Sequence, residues 1–410
     1  MYHKSAKLSH VCYDIRGPVM AEAARMEAAG TPILKLNIGN PAPFGFTAPE
    51  PLLAAVRDNL QYSQGYCDAK GLASARMAIA RHYQRRGVKN ADAEQVLLGN
   101  GVSELIQISL QALLNDGDEV LLPSPDYPLW TACTTLSGGT PVHYRCDEGA
   151  DWQPDLVDIR RKITPRTRAL VVINPNNPTG AVYQKAMLEA LVAIAREHQL
   201  VLFADEIYDQ ILYDDALHYP LASLSDDVLT LTFNGLSKAY LAAGFRQGWL
   251  LVSGDISQAT DYLEGLNILA SMRLCASVPA QHAVVAAMAE PDSIKPMLLP
   301  QGRLLAQRDL AYQMLTSIKG VSCVKPRGAL YLFPRLDPRR FAISSDEALV
   351  LDLLKKEQML LVQGSGFHYP NPDHLRIVFL PERSQLADAM TRLGRYLEQR
   401  ASAVATGSAA

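Results

Sequence analysis

The chain has 410 residues, 48% hydrophobic and 20% charged, with a net charge of 39 − 42 = −3 at neutral pH. These ordinary globular proportions argue against a disordered, collagen-like or membrane-embedded polypeptide, and they lack the basic excess that a nucleic-acid partner favours. At ~150 residues per domain the length suggests two to three domains.

The first seventeen residues carry no apolar stretch of signal-peptide length, and no apolar run approaches the ~18 residues of a membrane span. Cys12, Cys67, Cys133, Cys146, Cys275 and Cys323 are scattered, with no C-x-x-C spacing. Single thiols of this kind suit a reducing compartment, so a cytoplasmic location is expected. Residues 1–45, with the Gly/Pro-rich stretch NIGNPAPFGF, are expected to pack with a smaller C-terminal domain.

Short apolar runs follow at 94–99, 118–123, 168–174, 200–205, 228–233 and 248–253. They are continuous rather than alternating, as strands covered on both faces are. Helical periodicity separates them, over 101–117 and 186–199. Strand–helix–strand order predicts an α/β fold with a mostly parallel, doubly wound sheet as a large domain over 46–295. Beyond that the texture changes. A helix over 300–318, a turn-containing strand pair in VSCVKPRGALYLFP, a helix over 345–357, strands LLVQG and LRIVFL and a helix over 382–398 form a smaller α+β domain, 296–400. The Ala/Ser-rich tail, 401–410, is expected to be frayed.

Ligands of open α/β sheets bind beyond the carboxyl ends of the strands, so the residues after each apolar run are the candidates. Asn100-Gly101-Val102-Ser103 opens a helix whose free N–H groups favour a phosphate, although Ser103 would equally serve as a simple cap. NPNNPTG spans 174–180, Asp205 ends a wholly apolar strand with Tyr208 three residues on, and Ser237-Lys238 follow another. A lone lysine is usually a solvated surface charge, but one just past a buried strand and near Arg246 loses some of the stability of its ammonium form and becomes able to form a Schiff base. A carboxylate at position 205 is costly unless paired; it reads as a structural ion pair or as the counter-ion of a protonated ring nitrogen. Arg246 reads as a forked phosphate contact or a surface arginine.

Rival motifs fail. GNGVSE (99–104) lacks the last glycine of G-x-G-x-x-G, and GLSKA (235–239) ends in Ala239 rather than the glycine of a nucleophile elbow. No phosphate-binding G-x-x-x-x-G-K loop or H-E-x-x-H occurs, and His143-Tyr-Arg-Cys146 reads as incidental rather than as a metal site.

NPNNPTG (174–180), ADEIY (204–208) and SK followed by GFRQGW (237–238, 244–249) together resemble the class I aminotransferases that use pyridoxal 5′-phosphate, over roughly residues 10–400. CYDIRGPV, KLNIGNPAPFGF, GYCDAKGL, GNGVSELI, INPNNPTGAVY and VKPRGALYLFP are similar to the glutamate–pyruvate (alanine) branch of that family. The resemblance implies a fold-type I enzyme in which Lys238 holds the cofactor as a Schiff base and Asp205 keeps its ring nitrogen protonated. Asn177 and Tyr208 would hydrogen-bond its phenolic oxygen and Tyr127 would stack on its ring. Val102, Ser103, Ser237 and Arg246 would hold the phosphate, joined by Tyr66 from the neighbouring subunit of a homodimer. Arg376 and the Gly39 backbone would take the substrate α-carboxylate.

Two departures stand out: Gly235 where the family commonly has serine, and Ala239 in place of a small hydroxyl residue, both of which could weaken cofactor affinity. The implied reaction is ping-pong transamination between L-alanine and 2-oxoglutarate. We add from the residues alone that Tyr13-Asp14-Ile15-Arg16 would close over the site, with Arg16 receiving the distal carboxylate of glutamate. The alternatives are an aspartate or aromatic aminotransferase, a carbon–sulfur lyase, or a non-catalytic regulator on the same fold, which would be expected to carry an added DNA-binding module or to lack the lysine. No metal and no membrane partner is implied.

Overall fold

The six apolar runs are strands of one sheet. A computed structural model of the chain describes residues 2–11 and 17–407, so Tyr13 and Arg16 lie outside the described residues. After a short strand β1 (Leu34–Lys35), the chain forms β2 (Val96–Gly99), β3 (Glu119–Ser124), β4 (Thr140–Asp147), β5 (Gln153–Pro154), β6 (Thr167–Ile173), β7 (Val201–Asp205), β8 (Thr230–Gly235) and β9 (Gly248–Ser253). Strands β2 to β9 form a single sheet in the order β2-β9-β8-β7-β6-β3-β4-β5.

Alternate residues of each run divide between the two faces. Val171, Ile173, Phe203, Leu231 and Phe233 join the buried cluster containing Leu105 and Ile108 of the helix Val102–Leu113. Leu170, Val172, Leu202 and Ala204 join the cluster containing Leu188 and Leu191 of the helix Lys185–Glu197. Two covered faces explain why the runs are continuously apolar: each fully buried Leu, Val or Phe contributes ~1.5–3 kcal/mol, and exposure is confined to residues at the starts of the runs, such as Glu94 and Arg168.

The sheet is not wholly parallel. β9 runs antiparallel to both β2 and β8, and β5 runs antiparallel to β4. The reversal of β9 has a functional effect. The carboxyl ends of β2 and β8 face the amino end of β9, with Gly99 and Gly235 both in register with Gly248. Arg246, two residues before β9, is thereby delivered to the same rim as the residues that follow the other strands.

The helix over 101–117 is shorter than its periodicity predicts. It ends at Leu113, because Leu114 is extended and the Asn115 N–H turns to the Asp118 carboxylate at 2.9 Å. β4 escapes the apolar-run reading because His143 and Arg145 interrupt it.

Residues beyond 300 build a second layer of helices on short strands, β10 (Val321–Ser322), β11 (Tyr331–Leu332), β12 (Arg335–Leu336), β13 (Met359–Leu360), β14 (Val362–Gln363) and β15 (Leu375–Val378). The strands of VSCVKPRGALYLFP do not pair with each other as expected. β10 pairs with β12, and β11 pairs with β15, which also takes β14. The N-terminal stretch joins this layer: β1 pairs in parallel with β13, and the helix Pro18–Ala28 packs on the helix Asp346–Glu357. The last helix, Arg383–Ala405, runs past the expected end at 398 into the tail expected to fray. Alanine-rich ASAVA is a strong helix former, and Ala401 packs against the core. Among the described residues no helix is long and apolar enough to cross a membrane.

Both sequence departures have a structural account. A Cβ at Gly235 would stand 2.7 Å from the Gln247 carbonyl oxygen and 3.0 Å from the Gly248 Cα, so close strand pairing requires glycine there. Ala239 is buried in the apolar cluster that also contains Leu236 and Trp249. Gly235→Ser is therefore expected to lower stability by about 1–3 kcal/mol through overpacking without tightening ligand binding. Thermal melts and a cofactor titration of the purified variant check this.

Candidate active site

The rim of the sheet closes over a cavity of about 390 Å³. Most of the sequence candidates converge there: Gly39, Val102, Ser103, Tyr127, Asn177, Asp205, Tyr208, Ser237, Lys238, Arg246 and Arg376 all line it. Tyr66 does not; its side chain is 81% exposed on the surface. Ala239 is also absent from the lining, so a hydroxyl at that position would face the core rather than a ligand.

Asp205 ends β7 with its carboxylate buried. The Trp130 indole Nε1 donates to Oδ2 at 3.0 Å, and the Ile207 N–H approaches Oδ1 at 3.4 Å. Burial pushes the carboxyl up to about 6, against the opposing pull of these donors and of the Lys238 charge. A buried carboxylate with so few donors is a site prepared for a cation.

Lys238 lies three residues past the end of β8, and its Nζ donates to the Gly39 carbonyl oxygen at 2.7 Å. It also sits 5.9 Å from the centroid of the Tyr208 ring. Gly39 reaches the amine because it has no side chain: a Cβ there would overlap the Tyr331 hydroxyl. The Tyr331 hydroxyl in turn shares a 2.6 Å hydrogen bond with that of Tyr208.

Arg376 on β15 is buried between two rings, its guanidinium 4.5 Å from the Tyr331 centroid and 4.7 Å from that of Phe367. Nη1 donates to Asn177 Oδ1 at 3.0 Å, Nη2 donates to the Asn37 carbonyl, and the buried Nε has no partner. A flat cation held on both faces, with an edge unspent, suits forked recognition of a carboxylate.

At the opposite wall the helix Val102–Leu113 starts directly after β2. Its N-cap is Gly101, at φ +87°, and no side chain caps its first turn. A Cβ at Gly101 would overlap the Arg246 guanidinium, and one at Gly248 would stand 2.6 Å from the Val102 nitrogen. Glycines thus let a helix N-terminus, a guanidinium and the hydroxyls of Ser103 and Ser237 share one corner, which is a phosphate-binding arrangement.

Trp130, Tyr331 and Phe367 were not among the sequence candidates. Trp130 follows Tyr127 by three residues at the start of a helix, which was the available signal; Tyr331 lay in an expected strand, and Phe367 in a Gly-containing stretch, SGFHYP, that carries no signal of its own. The HYRC pair separates, as expected of an incidental pattern: Cys146 packs at 3.9 Å from the Tyr183 hydroxyl, whereas His143 faces Asp126.

The raised value of Asp205 predicts a pH-dependent cost. Its carboxyl binds a proton more tightly folded than unfolded, so ionising it destabilises the ligand-free protein progressively between about pH 4 and pH 6, and fully above that range, by about 3 kcal/mol. Asp205→Asn is expected to raise the melting temperature of the ligand-free protein at pH 7.5, with the gain shrinking toward pH 5. Calorimetry of both proteins at the two pH values checks it.

Residues 31–393 match the family model described as aminotransferase class I and II. The glutamate–pyruvate aminotransferase AlaA of Haemophilus influenzae is 59% identical over 397 residues, covering 97% of this chain and 98% of that protein. An alanine aminotransferase of Mycobacterium tuberculosis is 59% identical over 397 residues, covering 97% and 92%. Among solved structures, an Escherichia coli aminotransferase superposes with a TM-score of 0.96 at 58% identity over 97% of this chain and 98% of the other. The alanine aminotransferase of Pyrococcus furiosus gives 0.90 at 37%, over 97% and 100%. The residues present fit pyridoxal 5′-phosphate: a buried anion short of a cation, an amine in the same cavity and a phosphate corner that glycines keep open. The chain belongs to the class I and II aminotransferases, and its cofactor is pyridoxal 5′-phosphate.

Proposed function

We propose that the protein exchanges amino groups between L-alanine and 2-oxoglutarate, giving pyruvate and L-glutamate in two alternating half-reactions. The observation that carries this is the single cavity shared by Lys238, the buried Asp205 carboxylate and the ring-clamped Arg376. The names of the relatives above point to the same substrates. The bound cofactor supplies an electron sink for the pair left when the substrate Cα–H bond breaks.

The chain's own residues do the rest. Asp205 would stay ionised beside the protonated ring nitrogen, and burial would strengthen that pairing because water does not compete for it. Lys238 would hold the cofactor between turnovers, and its freed Nζ would take the proton from the substrate α-carbon and return it on the same face. Asn177 spends Oδ1 on Arg376 and keeps its amide N–H groups for the phenolic oxygen, which the Tyr208 hydroxyl would share. Tyr127 would stack on the ring. Val102, Ser103, Ser237 and Arg246 would take the phosphate. Arg376 and Gly39 would hold the α-carboxylate, which fixes the α-hydrogen within reach of Lys238.

Specificity follows from the remaining wall. Val19, Met20 and Ile38 line the cavity and suit a methyl group. The cationic lining residues among those described are Lys238, Arg246 and Arg376, each already engaged. Arg16, three residues before Val19 in the sequence, would supply the charge for the distal carboxylate of glutamate, and Tyr13 would contribute to the same binding. Tyr66, exposed on its own chain, would complete the phosphate site of a second subunit, making the enzyme a homodimer. Five free thiols among the described residues fit a cytoplasmic setting.

A coupled assay with L-alanine and 2-oxoglutarate tests the reaction, and turnover confined to aspartate or phenylalanine would reject the substrate assignment. Arg16→Ala is expected to raise KM for glutamate at least tenfold and leave that for alanine within about twofold; an equal loss for both would remove Arg16 from the site. Mixing Tyr66→Ala with Lys238→Ala subunits is expected to restore activity that neither has alone, because one site of each hybrid regains both residues. No recovery after subunit exchange would show that sites are not shared.

A further inference from the structure

Beside the cavity, and unused by the chemistry above, lies a second polar cluster. Asp126 is fully buried between β3 and the helix Pro128–Leu136, one residue before Tyr127. His368 Nδ1 donates to its Oδ1 at 2.7 Å, and the Thr131 hydroxyl donates to Oδ2 at 2.6 Å. His143, on β4, brings Nε2 to 3.5 Å of the same carboxylate and 2.9 Å of Thr131 Oγ1. Two further hydrogen bonds cross the same seam. The Asp126 N–H donates to the Phe367 carbonyl at 2.9 Å, and the Ser124 hydroxyl donates to the His368 carbonyl at 2.8 Å. His368 holds a left-handed backbone, φ +53°, that a non-glycine residue keeps only when its surroundings fix it.

These three side chains offer metal-ligating atoms within 4.8 Å of one another. The rings, however, are stacked with planes only 22° apart. Lone pairs lying in two nearly parallel planes, with ring centroids 4.8 Å apart, do not meet at one ion about 2 Å from each nitrogen. The cluster is a carboxylate clamping two imidazoles, not a cation cage.

Its place in the fold gives it a task. Residue 127, next to Asp126, forms one wall of the cavity; residue 367, next to His368, forms the other and carries the Arg376 guanidinium on its ring. We propose that the Asp126–His368 pair is a positioning device that sets the gap between the two walls, and so places Arg376 to receive the substrate α-carboxylate. This rests on the reading of Arg376 as the carboxylate anchor.

The test is steady-state kinetics of the holoenzyme with L-alanine. His368→Ala is expected to raise KM about tenfold with kcat within about threefold and the visible absorbance of bound cofactor retained. His368→Asn, whose amide N–H can replace the Nδ1 donor, is expected to stay within about twofold of the parent. An unchanged KM in His368→Ala overturns the proposal. So does an asparagine variant as impaired as the alanine variant, or a KM rise that comes only with loss of cofactor. If His368→Ala does not fold, Thr131→Val, which withdraws one donor from the same carboxylate, is expected to raise KM about threefold, and no rise overturns the proposal. Arg376→Lys separates the two readings. If it leaves KM unchanged the anchor assignment fails; if it raises KM while His368→Ala does not, only the positioning role fails.

Discussion

The site is organised around a negative charge that the protein itself does not neutralise. Asp205 sits at the end of a strand buried on both faces, and its close donors are an indole N–H and one distant backbone N–H. Keeping an ionised carboxylate in such a place costs free energy that no protein cation returns in full. A protonated pyridine nitrogen placed there, as proposed, would offset that cost, and the same pairing would keep the ring electron-poor. Affinity for the cofactor and its reactivity would then share one origin.

The sheet arranges everything else around this anion. Six strands present their carboxyl ends to one rim, and the reversed β9 adds its amino end to the same rim. Asn177, Asp205, Ser237 and Arg246 thus come from four separate loops onto one cavity. A wholly parallel sheet would place the residue before β9 on the far side. Gly99, Gly235 and Gly248 let the strands and the helix beginning at Val102 approach closely enough for the phosphate corner to form.

Much of this was legible in the residues. Continuous apolar runs located β2, β3, β6, β7, β8 and β9, and several polar residues at or after the ends of all but β9, among them Ser103, Asn177, Asp205 and Lys238, line the cavity. What escaped was non-local. The direction of β9 depends on pairing partners far away in sequence, and β4 carries polar residues that break its pattern. Trp130, Tyr331 and Phe367 act partly through neighbours distant in sequence, Tyr331 through Gly39 and Phe367 through Asp126 among them, so their local settings did not single them out. The pairings of β10 and β11 with β12 and β15, rather than with each other, are likewise tertiary facts. The continuation of the last helix to Ala405 reflects alanine's helix preference winning over the end-fraying expected of any terminus.

The hydrogen bond from Lys238 to the Gly39 carbonyl links the two halves of the molecule. Gly39 follows β1, which is paired to β13 in the C-terminal layer, whereas the lysine belongs to the large sheet. If Lys238 holds the cofactor as proposed, the same nitrogen would keep at most one N–H and would lose most of its capacity to donate to that carbonyl. The chemical state of one nitrogen and the seating of the N-terminal segment would then be one coupled equilibrium, and by thermodynamic reciprocity whatever steadies that segment would also bias the amine.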